Sequence, residues 1–387
     1  MMSQASAVAE AGEEAKLTAR WAARGESCYA GVVSHTQLAA HSALNTTEPV
    51  AVSPSTRTND AWGRFARLFL GAGLAVLAAY LGLAYALDPY DSGRSTLFSA
   101  GAVRPQGPRT ALASRGRDPA FAAALIGNSH IQLIAPDKLS EATGLRFVQL
   151  SVPATGPGEQ MRVLAWFLRH HPAPEALVIA ADEYWCTDDP ALPNAKPFPY
   201  WLLADRTPEY LRGLLSFSVA QEVVERIGWL LRKNRKTARP DGWWDYEPDY
   251  LRLGYADDPR LVADREKRPP ATPDPHRGGP FPAAVAFARA LRDVPEATPV
   301  ILVFPPIYAA GLPAPGTPRA AAEAACKAAI AGALDGRPRA AALDWRRSRP
   351  ELAESGLFFD QTHYRHPLAA RVTADIAAAL AGLGARP

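Results

Sequence analysis

Two short runs carry side chains suited to nucleophilic acyl chemistry. Gly127-Asn128-Ser129-His130 follows an apolar stretch, and Phe358-Phe359-Asp360-Gln361-Thr362-His363-Tyr364 precedes a final Ala-rich segment. A serine hydroxyl becomes a nucleophile when an imidazole takes its proton, and a carboxylate on the other ring nitrogen fixes the required tautomer. Asp360 and His363 are three residues apart, so a single turn can bring both side chains to one side. Ser129 is then the candidate nucleophile, His363 the base and Asp360 its orienting partner. Each run also has a plainer reading. Asn128 and Ser129 are both favoured helix N-caps, and an Asp-x-x-His pair is by default an exposed ion pair. His366 adds an Asp/His/His metal set as a rival, but no further ligand cluster accompanies it, so neither a metal nor another cofactor is expected.

The elements around these runs read as an α/β alternation. Residues 121–126 (FAAALI) form a continuous apolar run that stops at Gly127, as a buried parallel strand does, and Gly127 suits a tight turn there. Further strands are expected at 146–150, 176–181, 299–304 and 340–343. Helices are expected at 159–170, 281–294, 319–334 and 367–383, the first from its apolar stripe at Met161, Leu164, Ala165, Phe167 and Leu168. Such spacing predicts a parallel sheet covered on both faces, a flavodoxin-like three-layer αβα domain over 118–385. Ligands bind such sheets at the carboxyl ends of the strands, where Ser129 falls at the start of a helix-like segment. Backbone N–H groups at such a turn can stabilise an oxyanion.

A long insertion, about 183–280, interrupts the alternation. It holds an amphipathic helix at 219–232, the basic residues Arg232, Lys233, Arg235 and Lys236, and the aromatics Trp243, Trp244, Tyr246, Tyr250 and Tyr255. Together these could bind an anionic polymer or stack sugars. Equally, they read as a solvated helix end followed by an aromatic mini-core.

The N-terminal third is of another kind. Residues 1–62 are rich in Ala, Ser, Thr and Glu without a sustained apolar period, which reads as a disordered tail with one possible short helix near 13–23. A run beginning at Leu68 and ending at Leu87 contains no charge, and its twenty residues at ~1.5 Å each match the ~30 Å hydrocarbon core of a bilayer. A single transmembrane anchor is expected at 66–88, followed by a Pro/Gly/Arg-rich linker at 89–117. Arg57, Arg64 and Arg67 precede the run while Asp88 and Asp91 follow it, so the tail is expected in the cytoplasm and the main domain outside, in the periplasm of an inner-membrane protein. Ala84-Tyr85-Ala86 resembles a signal-peptidase site, but the run lies far from the N-terminus for a signal peptide. In that topology Cys28 is inside, and Cys186 and Cys326 form an even pair in an oxidising compartment, a possible disulfide.

Composition narrows the function classes. The chain has 387 residues with 48% hydrophobic content, enough for a sizeable core. A net charge of +3 is no nucleic-acid footprint. Three Cys without a Cys-x-x-Cys pair exclude a disulfide-dense scaffold, a zinc ribbon and a thioredoxin site.

The combination of Gly-x-Ser after the first strand, Asp-x-x-His before the last helix and an α/β alternation between them resembles the SGNH (GDSL-like) hydrolase superfamily. With an N-terminal membrane anchor and a Gly-Asn-Ser-His first block, it is most similar to the envelope acyltransferase-type branch, which includes alginate O-acetylation and teichoic acid D-alanylation proteins. The resemblance implies a serine acyltransferase or esterase in which Ser129, Asp360 and His363 form the triad, acting on acyl groups of an envelope glycan. It also implies a multispanning membrane partner as acyl donor. Three blocks depart from the superfamily pattern. Asn128 replaces the usual Asp. The segment 150–156 (LSVPATG) leaves the oxyanion donor open between Ala154 and Gly156. After the third strand, Ala180-Ala181-Asp182-Glu183 stands where a Gly-x-Asn-Asp block supplies an oxyanion Asn, and an ionised Asp182 would repel that charge. These departures leave room for Asp182 to orient an acceptor hydroxyl, or for an inactive SGNH-like module that binds or positions an envelope polysaccharide.

Overall fold

In the computed structural model the described residues are 56–98, 102–192, 194, 196–231, 237–268 and 279–385. Helix α1 runs over Thr56–Leu87. It therefore begins ahead of the expected anchor and includes the end of the segment read as tail, because once a helix is nucleated it propagates through polar residues as well as apolar ones. The remainder of that tail, the possible helix near 13–23 and Cys28 lie outside the described residues. Among the described residues one helical stretch, Ala61–Leu87, is long and apolar enough to cross a membrane. Most of its side chains ahead of Tyr80 are uncovered, with Leu68 74% and Leu74 66% exposed. The chain divides into two compact units, Met1–Leu77 and Ala78–Pro387.

The second unit starts within the helix. Ala84 and Leu87 are buried in its core, and the Tyr80 hydroxyl donates to the Leu214 carbonyl at 2.7 Å. Asp88 then turns the chain at φ 41°, its carboxylate accepting from the N–H groups of Ser92 (2.9 Å) and Gly93 (2.7 Å). The expected linker at 89–117 is instead part of the domain. Tyr90 is buried, Arg104 donates to the Pro89 carbonyl at 2.8 Å and pairs with Glu222, and α2 (Pro108–Arg115) inserts Leu112 and Ala113 into the core. Polar bonds hold this segment more than an apolar stripe does, so hydrophobic periodicity did not reveal it.

Five strands form the sheet: β1 (Ala123–Ile126), β2 (Phe147–Gln149), β3 (Ala176–Ala180), β4 (Val300–Phe304) and β5 (Ala340–Asp344). All neighbours are parallel, in the order β2-β1-β3-β4-β5. Each strand corresponds to a predicted apolar run, the first four trimmed by a residue or two at their ends and β5 one residue longer than expected. Ala124, Ile126, Leu177, Ile179, Val300 and Leu302 face one core, shared with α4 (Pro157–His170), α6 (Pro282–Ala290) and α7 (Pro318–Ala331). The alternate residues Ala123, Leu125, Ala176, Val178, Ile301 and Val303 face the other, shared with α3 (Pro136–Thr143) and α8 (His366–Gly382). Period-2 alternation thus feeds two apolar faces at once, which is why these strands read as unbroken apolar runs.

Where described, the insertion consists of helices joined by loops, with no strand among its described residues. It comprises Tyr184–Thr187, Thr207–Gly213, α5 (Phe217–Leu231), Glu247–Arg252 and Pro259–Glu266. The basic residues Arg232, Lys233, Arg235 and Lys236 lie outside the described residues. Cys186, just past β3, and Cys326 on α7 are joined by a disulfide with Cα atoms 5.7 Å apart.

Candidate active site

The site forms at the carboxyl end of the sheet, from the loops after β1, β2, β3 and β5. After β1 the chain does not enter a helix at Ser129. It makes successive turns, with Ile131 N–H on the Asn128 carbonyl (3.2 Å) and Gln132 N–H on the Ser129 carbonyl (3.3 Å), and α3 starts only at Pro136. Ser129 therefore caps no helix, and its side chain stays partly exposed. Gly127 is required for space, not for an unusual φ. A Cβ there would sit 2.8 Å from Ile131 Cγ2 and 2.9 Å from Ala180 Cβ, where the ends of β1 and β3 converge.

Asp360 and His363 sit in a tight loop, not on a helical turn. The Phe358–Tyr364 antiparallel bridge and the Phe359 N–H on the His363 carbonyl (2.8 Å) close it. Asp360 Oδ1 accepts from the N–H groups of Thr362 and His363, both at 2.8 Å, while Oδ2 lies 2.8 Å from His363 Nδ1. The opposite ring nitrogen, Nε2, is 2.9 Å from Ser129 Oγ. Burial by itself would raise the Asp360 carboxyl, but the His363 ring and the two backbone N–H groups outweigh it and hold the pKa at about 2. Asp360 is thus an anion across the physiological range, set to hold His363 with Nε2 free for the serine proton.

The insertion builds one wall. The Tyr246 hydroxyl donates to the Ser129 carbonyl (3.2 Å), and the Tyr246 and Tyr250 rings lie 6.0 and 5.7 Å from the His363 ring. Tyr250 also packs on Phe359 and Tyr255. Buried Arg265 braces the triad loop through the Phe358 carbonyl at 2.8 Å, and buried Glu247 accepts from His366 N–H at 2.7 Å at the start of α8. Trp243 bonds the Gln132 carbonyl at 3.0 Å. The aromatics thus form the mini-core, placed against the triad. Their interleaving within the insertion was the sequence signal, but nothing local tied them to residue 129.

His366 does not join His363. Its Nε2 lies 3.0 Å from Asp245 Oδ1, and no group of three or more potential metal ligands occurs among the described residues.

Of the two amides open as oxyanion donors, Gly156 is committed elsewhere. Its N–H donates to Glu159 Oε2 at 3.0 Å, so the Glu159 side chain reaches back to the residue that starts α4. Ala154 adopts φ 54°, a left-handed conformation rare for a residue with a side chain. Neither the Ala154 N–H nor the Ser129 N–H has a protein acceptor among the described residues. Non-glycine strain of this kind concentrates at functional loops.

Asp182 and Asn128 tie three of these loops together. The Asn128 side-chain amide donates to Asp182 Oδ2 and to the Thr155 carbonyl (3.2 Å), while its Oδ1 accepts from His130 N–H at 3.1 Å. Asp182 Oδ1 accepts from Tyr184 N–H at 3.0 Å. His130 Nδ1 lies 3.2 Å from Asp182 Oδ2, close enough for charge pairing, and the His130 ring is 5.1 Å from that of His363. Burial would lower the His130 pKa, but Asp182, with Glu183 and Asp360 behind it, raises it above the ordinary histidine value. The Asp182 carboxylate is thus engaged by the Asn128 amide and the Tyr184 N–H, with the His130 ring beside it. The sequence reading missed His130, although it is part of the same tetrapeptide as Ser129.

The arrangement comprises a hydroxyl, an imidazole and a carboxylate joined by hydrogen bonds, two amides without a protein acceptor on the loops after β1 and β2, and a buried Asp182–His130 pair. No protein-family model and no curated protein matches the chain.

Proposed function

We propose that the protein is a membrane-anchored SGNH-like serine acyltransferase or esterase acting outside the cytoplasmic membrane. The observation that carries this reading is the chain Ser129 Oγ–His363 Nε2 (2.9 Å) and His363 Nδ1–Asp360 Oδ2 (2.8 Å), built on loops at the carboxyl end of a parallel sheet. Ser129 Oγ attacks the acyl carbonyl while His363 Nε2 takes its proton. The oxyanion that develops is met by the N–H groups of Ser129 and Ala154. Collapse expels the donor's alkoxide, which His363 protonates, and leaves an acyl-enzyme. His363 then deprotonates an acceptor hydroxyl, from an envelope sugar in transfer or from water in hydrolysis, and Ser129 is regenerated.

The absence of an oxyanion Asn after β3 motivates the rival reading of an inactive, glycan-positioning module. One donor of that kind is worth ~10²–10³ in rate. The hydrogen bonds around Asp182 weigh against that rival, because its carboxylate is engaged by Asn128, Tyr184 and His130. The Cys186–Cys326 disulfide and the basic residues ahead of the apolar run of α1 support an extracytoplasmic domain. An acyl donor delivered through the membrane by a multispanning partner is part of the proposal.

The test uses the full chain in detergent with a serine-directed fluorophosphonate and with p-nitrophenyl acetate. Mass spectrometry is expected to find the phosphonate on Ser129, and the ester is expected to give an initial burst that Ser129→Ala abolishes. Identical traces for wild type and variant, with no label on Ser129, would favour the binding module.

A further inference from the structure

Helix α5 carries more apolar surface than the domain covers. Val219, Val223, Arg226 and Trp229 are buried against the body of the unit. Phe217, Val224 and Leu231 nevertheless stand 79%, 68% and 78% exposed. They are spaced seven residues apart, so at 3.6 residues per turn they fall on one flank of the helix over ~21 Å. The other exposed flank carries Ser218, Gln221 and Glu225. The exposed surface is thus itself divided lengthwise into an apolar and a polar strip, the pattern of a helix lying at a membrane interface.

One contact joins the approach to this strip with the apolar helix, and a second joins α5 to another uncovered apolar pair. Leu214, just ahead of α5, accepts the Tyr80 hydroxyl, and Tyr80 lies seven residues, ~10 Å, before the end of the apolar run at Leu87. The intervening Leu215 is 49% exposed. Farther along, Arg226 Nη2 donates to the Phe98 carbonyl at 3.0 Å, which brings a second uncovered pair, Leu97 (75%) and Phe98 (47%), beside α5. If α1 is an anchor, exposed apolar side chains held near its Ala78–Leu87 end have lipid within reach.

We propose that the Phe217, Val224 and Leu231 strip of α5, with Leu215 just ahead of it, inserts into the interfacial layer of the bilayer that α1 enters, as a second and peripheral membrane contact. This rests on α1 being a membrane anchor. Two attachment points hold the domain against the lipid surface where a single flexible tether would let it swing.

Depth-dependent quenching of the full chain in proteoliposomes tests this, in a Cys28→Ser background that keeps the native disulfide. Single cysteines at Leu74, Phe217, Val224 and Glu225 are labelled with an environment-sensitive fluorophore, and lipids brominated in the acyl chain are added. All four positions are exposed, so the substitutions leave the core intact. The expected result is strong quenching at Leu74, and quenching at Phe217 and Val224 at least about twofold above that at Glu225, since an interfacial helix sinks its apolar flank ~5–10 Å. Quenching at Leu74 with Phe217 and Val224 no higher than Glu225 overturns the inference and leaves the anchor standing, as when a second copy or another protein covers the strip. No quenching at Leu74 overturns the anchor reading and the inference with it.

Discussion

His363 Nε2 stands 2.9 Å from Ser129 Oγ although 234 positions separate them in the chain. The two side chains come from loops after β1 and β5, strands that are not neighbours in the sheet. Only the common direction of all five strands brings their carboxyl ends, and hence both loops, to one edge.

Residues of a proton-transfer chain act as a unit, so their losses do not add. Ser129→Ala and His363→Ala are each expected to lower the acylation rate by ~10³-fold or more, and the double variant to be scarcely slower than either. Asp360→Asn is expected to lower the rate with less effect on KM, because it disturbs the tautomer and not the binding surface. Burst kinetics on the four proteins measure this. Losses that multiply in the double variant would argue against a working triad.

Asp182→Asn separates the two roles open to that carboxylate. If Asp182 organises the loops, the variant weakens the bonds to Asn128 and Tyr184 and leaves His130 without its counter-charge, a cost of ~1–3 kcal/mol read as a lower Tm, with no gain in rate. A variant at least tenfold faster than wild type would mean that Asp182 repels the oxyanion.

The raised pKa of His130 predicts a signed pH dependence of stability. A histidine with a raised folded-state pKa stabilises the fold fully below its ordinary value near 6.5, and that contribution fades as pH rises through the raised value. The Tm deficit of His130→Gln relative to wild type should therefore be larger at pH 5.5 than at pH 9. Equal deficits at both would remove the charge pair with Asp182 from the account.

The disulfide closes a segment of 140 residues that contains the insertion and β4. Cross-links across loops of that length stabilise by ~2–5 kcal/mol. Cys326→Ser, or reduction, is expected to lower Tm by several degrees while fluorophosphonate labelling of Ser129 persists below the new Tm, since neither cysteine touches the triad. An unchanged Tm would show that packing of the short Tyr184–Thr187 helix alone holds this corner.

Several features were legible in the residues because they are local. The strands were visible because a two-faced sheet writes its burial into consecutive positions, as in Ala123–Ile126 and Val300–Phe304. The apolar stretch ending at Leu87 was visible because it is apolar on every side over twenty consecutive residues. The segment 89–117 was misread as a linker because buried polar residues such as Arg104 and Arg115 hold it, and these carry no periodic signature. The turn after β1 was read as the start of a helix because Asn128 and Ser129 are good caps. Steric convergence at Gly127 imposes consecutive turns there instead.

By itself, then, the sequence determined the sheet, the apolar helix and the residue types of the proposed nucleophile, base and orienting acid. Tertiary structure alone decided that Ser129 meets His363, that Ala154 and not Gly156 keeps an unengaged amide, and that Asp182 faces Asn128 and His130. Periodicity records which face of an element is buried. Which loops converge depends on strand order and on backbone angles such as the positive φ of Ala154, set by contacts between residues remote in the chain.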